Sequence, residues 1–124
     1  MSAPGLGLFC THETADKKPD VVVRMLRAYK ASVTEIMSQP LEPIFQRAAK
    51  EFDIPRMNNV ASLVAVQQEV TKRQWLAEGK ENVLRNVPRL WQSACDALRQ
   101  IKIADVKDPT TLYTNKFVEE VLKT

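Results

Sequence analysis

The residues best suited to chemistry lie close together near the start of the chain, where Cys10, His12 and Glu13 are near neighbours. His12 and Glu13 match the first half of the zinc-protease helix motif, which requires a second histidine four residues later. Position 16 is an aspartate, and His12 is the only histidine in the chain. A cysteine and a histidine without two further ligands are also too few for a zinc site. We therefore expect no metal centre.

Other catalytic signatures are equally incomplete. Gly5 and Gly7 could be the first two glycines of a dinucleotide fingerprint, but no strand precedes them and the third glycine is missing. Gly79 has no phosphate-binding loop before it. Nucleophilic catalysis would need a base beside a serine or cysteine, and the sequence pattern places none there. The sequence predicts a protein that is not an enzyme and that uses no cofactor and no small-molecule substrate.

The composition is that of one ordinary globular domain. The 124 residues are 44% hydrophobic and 27% charged, with a formal net charge of +3. Acidic residues interrupt nearly every basic run, whereas a nucleic-acid binder usually concentrates its basic residues in one stripe. The longest uncharged stretch inside the domain, 57–68, is far shorter than the roughly 20 residues that span a bilayer. We expect neither nucleic-acid binding nor a membrane span, and two free thiols at Cys10 and Cys95.

Seven prolines divide the chain into helical segments, because proline fits the first turn of a helix and disrupts its interior. The predicted helices cover 19–38, 41–52, 59–78, a segment that either begins at Pro88 or begins near Lys80 and kinks there, and 112–122. The fold class is therefore all-α, a small antiparallel bundle of three to four helices. We expect an extended N-terminal segment (1–18), the bundle (19–102) and a C-terminal tail with a short helix (103–124).

Apolar spacing predicts which helix faces are buried. In the first long helix the predicted buried row is Val22, Leu26, Tyr29, Val33 and Ile36. In the fourth pattern the predicted row is Leu84, Val87, Trp91, Ala94, Leu98 and Ile101. Asn58 or Asn59 is expected to cap the third helix, and Asn86 the fourth if that helix begins at Pro88.

Seven residues form a predicted interface with a protein partner. Trp75 stands beside Lys72 and Arg73, so it is either an exposed anchor or part of the bundle packing. The N-terminal segment has too few apolar groups to order alone, and we expect it to lie along a neighbour. The tail has apolar residues that we expect a partner to cover. The predicted set is Leu8, Phe9, Arg24, Arg27, Trp75, Tyr113 and Phe117.

The run from Gly5 to Cys10 resembles the TGLVGLxV opening of one family, the alpha-subcomplex subunit 5 accessory subunits of mitochondrial complex I. That family continues with a helix of the form R-x-x-x-x-Y that ends in proline, followed by an aromatic residue and an arginine. Matching positions here are Arg24, Tyr29, Val33, Ile36, Pro40, Phe45 and Arg47, and Gly79 with Val83 and Leu84 is similar to the entry to the family's last helix. The terminal E-W-x-x-W motif is absent.

The resemblance implies a non-catalytic three-helix bundle without a redox centre. It implies a peripheral position on the matrix side of the mitochondrial inner membrane, docked on the matrix arm of complex I among its protein subunits. The start of the chain is not Arg-rich and amphipathic, so we expect any import signal to be internal.

Two alternatives follow from other features. Residues 24–30 also resemble the L-Y-R start of the LYR-type proteins, which are helical modules that bind acyl carrier protein through basic residues. That function would require Arg24, Arg27, Lys30 and Arg47 to form one positive patch. The other alternative is an unrelated helical scaffold that binds a partner helix.

Overall fold

The computed structural model describes residues 4–5, 7–52 and 59–123, and this part of the chain contains helices and no strands. The α-helices are α1 (His12–Lys17), α2 (Pro19–Ser38), α3 (Leu41–Glu51), α4 (Val60–Val70), α5 (Pro88–Gln100) and α6 (Lys116–Leu122). A π-helical segment, Thr71–Trp75, continues α4, and short 3₁₀ turns occupy Lys80–Asn82 and Pro109–Leu112. The predicted all-α class is confirmed.

Local sequence explains most helix boundaries. Pro19 and Pro88 occupy the first turns of α2 and α5, where the missing N–H costs nothing. Asn59 caps α4, because its side chain accepts a hydrogen bond from the Ser62 N–H at 3.1 Å. The alternative cap, Asn58, lies outside the described residues. The fourth predicted helix begins at Pro88, and its N-cap is Val87 rather than Asn86.

The N-terminal segment is not extended throughout, because α1 lies within it. The Thr11 hydroxyl accepts a hydrogen bond from the Thr14 N–H at 3.1 Å, and Lys17 pairs with Glu13 at 2.9 Å one turn away. A side-chain cap and an i,i+4 ion pair both favour a short helix. Ala15 packs against the core, which gives α1 the tertiary contact that so short a helix needs.

The main core lies between α2 and α6, which pack on one another. It is formed by Val23, Phe117 and Val121, and Val121 is completely buried (0% exposed). The Lys30 ammonium donates a hydrogen bond to the Val121 carbonyl at 3.1 Å, which joins α2 to the last turn of α6. The segment that the sequence analysis assigned to a tail therefore supplies part of the core.

The buried face of α2 agrees with most of the predicted row, because Val22 and Leu26 pack against the core and Val33 is buried. Val23 and Val33 are buried, whereas Tyr29, predicted inside, is 44% exposed. Val21 and Met25 precede Tyr29 at four-residue steps and are exposed with it. The run Val21-Val22-Val23 allows several helical registers, and contact with α6 selects the one that places Val23 inside.

The remaining helices are less deeply buried. α3 packs on α4, yet neither helix has a fully buried residue. In α5 the buried residue is Cys95, which is a free thiol like the exposed Cys10. Leu98 and Ile101, both predicted inside, are exposed, because α5 ends at Gln100 and the chain turns there. Leu84 is not helical but left-handed, with φ +73°.

Candidate interaction surface

Leu8 and Phe9 are exposed directly before α1. The Phe9 ring is 98% exposed, which leaves an aromatic side chain without packing partners within the described chain. An exposed aromatic next to an exposed leucine is the type of anchor that protein interfaces use. Both side chains are accessible to a partner, and their role at an interface stays a prediction.

The basic residues of α2 do not form a patch of free cations. Arg24 is exposed but pairs with Asp20 at 3.1 Å. Lys30 bonds to the Val121 carbonyl, and on α3 Arg47 pairs with Glu35 of α2 at 2.8 Å. Within the described ranges, Arg27 is the member of this set that has no ion pair or hydrogen bond. Two of the four charges that binding acyl carrier protein would require, those of Arg24 and Arg47, are therefore paired with carboxylates of the chain.

Trp75 is half-buried at the end of the π-helical segment. π-Helical turns inserted at helix ends are uncommon and occur often at functional sites. The basic neighbour Arg73 pairs with Glu69 at 2.5 Å on the preceding turn. Trp75 is thus less exposed than an interface anchor would be and less buried than a residue of the bundle core would be.

Tyr113 and Phe117 are engaged inside the molecule. The Tyr113 ring stacks on Trp91 with centroids 5.4 Å apart and planes 19° apart. Phe117 is 8% exposed in the α2–α6 core. A partner could contact Phe117 only if α6 left α2, whereas Tyr113 is half-buried and its role at an interface stays a prediction.

A polar cluster that the sequence analysis missed holds the C-terminal segment against the loop before α5. Asn115 accepts a hydrogen bond from the Asn86 N–H at 2.8 Å and donates one to the Asn86 carbonyl at 2.9 Å. The Asn86 side chain in turn accepts from the Trp91 indole N–H at 3.1 Å. No local pattern links residues 29 positions apart, so the sequence offered no signal for this pairing.

An ion pair lies beside the asparagine pair. Arg85 Nε donates to Glu119 at 2.7 Å, joining the same loop to α6. The hydrogen bond from Arg85 lowers the pKa of Glu119, and burial opposes that shift. The same hydrogen bond raises the pKa of Arg85. The ion pair joins the loop to α6 and so stabilises the fold, and each of its two charged groups already has a partner of opposite charge.

Six of the exposed apolar residues outside the predicted set lie in two groups. The first is the outer row of α2: Val21, Met25 and Tyr29. The second lies at the C-terminal end of α5 and comprises Leu98, Ile101 and Ile103. The four-residue spacing in α2 could have revealed the first group. The second depends on where α5 ends, which apolar periodicity alone does not show.

The described residues offer little for other kinds of site. Two concavities, along α5 from Arg89 to Gln100 and along α2 from Arg27 to Gln39, are open surface grooves. No group of three or more metal-ligating side chains occurs in the described ranges. In the same ranges no helix has the length and apolar character needed to cross a bilayer.

Comparisons with protein-family models, curated proteins and solved structures give no match to this chain. The functional interpretation therefore depends on the geometry described above and on the N-terminal resemblance.

Proposed function

We propose that this chain is a non-catalytic structural subunit of a mitochondrial respiratory assembly, docked peripherally on the matrix side of complex I. The resemblance of residues 5–10 and of the α2 positions Arg24 and Tyr29 supports the choice of assembly. The chain's role there is to bind neighbouring protein subunits through exposed apolar side chains. It needs no cofactor or substrate for this role.

The observation that carries the proposal is the large surface that the chain leaves exposed. The accessible surface is 9552 Å² for a mass of 14.1 kDa. A compact monomer of this mass exposes about 6,700 Å². Even if the eleven residues outside the described ranges were as exposed as in an unfolded chain, they would account for only about 1,800 Å² of the difference. The remaining surface, on the order of 1,000 Å², is comparable with the ~800 Å² that each partner buries in a standard interface.

We also propose that α2, α3, α4 and α5 form the small antiparallel bundle of three to four helices predicted from the sequence, and that α6 packs on its outside. Three contacts support this arrangement. The Arg47–Glu35 ion pair joins α3 to α2, and α3 packs on α4. Arg89 of α5 pairs with Glu78, which follows α4, at 2.5 Å.

Co-migration with the intact complex tests the proposal. The tagged chain, expressed in cells of its own source, should be found in mitochondria and should co-migrate with complex I on native gels. Cross-linking mass spectrometry should join it to matrix-arm subunits. A stable monomer that never co-fractionates with complex I would refute the proposal. If the tagged protein were located outside mitochondria, the alternative of an unrelated helical scaffold would explain the chain better.

A further inference from the structure

A β-turn in the loop before α5 carries a leucine where glycine is normally required. The Arg85 N–H bonds to the Asn82 carbonyl at 3.0 Å, which closes the turn. Its central residues are Val83, with φ −59° and ψ 130°, and Leu84, with φ +73°. These values match a type II turn, whose third residue favours glycine or asparagine because its φ is positive. A leucine there is strained, and such a conformation persists only where the surrounding contacts hold it.

The contacts that hold this turn come from the C-terminal segment. Arg85, the last residue of the turn, pairs with Glu119 at 2.7 Å. The next residue, Asn86, donates its backbone N–H to the Asn115 side chain at 2.8 Å and accepts from that side chain through its carbonyl at 2.9 Å. One asparagine side chain thus bonds to both backbone groups of Asn86 and fixes the direction in which the chain leaves the turn.

The other end of the same C-terminal segment is docked on α2. Phe117 and Val121 pack against Val23, and Lys30 donates to the Val121 carbonyl at 3.1 Å. The α6 helix has seven residues, whereas isolated helices shorter than about 12–15 residues are marginal in water. The α6 helix therefore depends on its docking, and we expect undocking and loss of the helix to occur together.

The chain just before this segment is anchored separately. The 3₁₀ turn Pro109–Leu112 packs on α5, and Pro109 is buried. The Asp108 carboxylate accepts a hydrogen bond from the Thr110 N–H at 3.0 Å and caps this turn. Residues up to Leu112 can therefore stay in place on α5 when the residues after them move.

We propose that residues 113–122 form a latch, closed in this structure, whose opening releases the strained turn at Leu84 while α5 stays folded. In the closed latch, Asn115 and Glu119 hold Leu84 in its left-handed conformation, and in the open latch the turn relaxes to a negative φ. The strain released on opening offsets part of the lost contacts, so the latch opens at a lower free energy than the whole chain unfolds. Opening would uncover α2 side chains that pack against α6, among them Val23. The latch thus sets how often this face of α2 is accessible, whatever assembly the chain belongs to.

Amide hydrogen exchange of the full-length chain, followed by NMR, tests the latch. Two backbone amides report its opening: that of Asn86, and that of Glu119, which bonds to the Asn115 carbonyl at 2.9 Å. The amide of Cys95, a buried residue of α5 (2% exposed), reports unfolding of the rest of the chain. The variants compared are Leu84→Gly and Leu84→Ala, which both lose the leucine side chain and differ in the Cβ that makes a left-handed conformation costly.

The matched control is the same pair of substitutions at Lys102, which is also left-handed (φ +58°) but follows α5 outside the latch. Lys102 keeps its conformation when the latch opens, so Lys102→Gly and Lys102→Ala should differ at the Cys95 amide and not at the two reporter amides. Circular dichroism establishes that the variants fold. If Leu84→Gly loosens the loop, Leu84→Asn replaces it, because asparagine is also accepted at the third position of a type II turn.

After correction for intrinsic rates, both reporter amides should exchange at least about tenfold faster than the Cys95 amide in the unmodified chain. Both should exchange at least about threefold more slowly in Leu84→Gly than in Leu84→Ala, since the steric cost of the left-handed residue exceeds the entropy that glycine gains in the open latch. Equal exchange in these two variants would overturn the inference. Reporter amides as slow as Cys95, or responsive to the Lys102 pair, would also overturn it, because the C-terminal segment would then open only with the whole chain.

Discussion

Replacing Val121 with alanine tests whether the α2–α6 contact is the principal core. Val121 is completely buried among Val23, Phe117 and partly buried side chains of α2, including Leu26. The substitution removes two carbon groups, which represent about 1.6 kcal/mol of transfer free energy at ~0.8 kcal/mol each. The cavity that remains raises the expected loss to about 2–3 kcal/mol. Because the substitution leaves the Val121 carbonyl intact, the hydrogen bond from Lys30 is kept.

The assay is urea unfolding followed by circular dichroism at 25 °C. A loss of about 2–3 kcal/mol is a large part of the ~5–15 kcal/mol that stabilises a typical domain, and it should lower the urea midpoint by roughly 1 M. The matched control is Val66→Ala on α4, where the valine is exposed and the gain in helix propensity is the same. The difference between the two variants therefore reports burial alone.

The reasoning would be refuted if the two valine variants unfolded within about 0.5 kcal/mol of each other. Such a result would mean that α6 does not pack on α2 in solution. Residues 103–124 would then behave as the separate tail predicted from sequence.

Two further predictions concern Lys102, the residue with left-handed φ (+58°) just after α5, and the loss of stability at acid pH. Lys102→Gly should raise the free energy of unfolding by about 0.5–1 kcal/mol, because glycine removes the steric cost of the left-handed φ while the unfolded chain gains some entropy. Lys102→Ala loses the same charge but keeps Cβ, so equal effects of the two variants in urea unfolding would contradict the conformational explanation. Because Arg85 lowers the folded-state pKa of Glu119, this carboxylate stabilises the protein above its unfolded pKa, and that stabilisation is lost as pH falls through the lower folded value. Glu119→Gln should therefore reduce the loss of stability measured between pH 7 and pH 3. Glu120→Gln, at an exposed neighbour without an ion pair in the described chain, should not, and an unchanged pH profile for Glu119→Gln would refute the role of this ion pair.

Most of the helical segmentation was predictable, since helix boundaries depend on residues close in sequence. The predicted 19–38 and 41–52 helices correspond to α2 (Pro19–Ser38) and α3 (Leu41–Glu51). Proline in the first turn and the Asn59 cap act on neighbouring backbone groups, so their effects can be recognised without a tertiary structure. The sequence analysis did not predict α1 (His12–Lys17), because a threonine cap before so short a segment with few apolar residues is a weak signal.

The candidate interface was only partly predictable. Leu8, Phe9 and Arg27 are exposed, whereas Phe117 is buried in the core and the half-buried Tyr113 stacks on Trp91. Aromatic side chains suit a core as well as an interface, and composition does not distinguish the two. Whether any exposed residue binds a partner stays a prediction.

The sequence by itself determined that this protein is helical and where most helices begin and end. It did so because proline geometry, capping and the helical repeat are local. Only the tertiary structure decided that Val23 joins the buried face of α2 and that Tyr29 leaves it, because contact with α6 fixes how α2 is rotated. The deciding contacts, such as the hydrogen bond from Lys30 to the Val121 carbonyl, join residues 91 positions apart. Residues so distant along the chain meet only after the chain has folded.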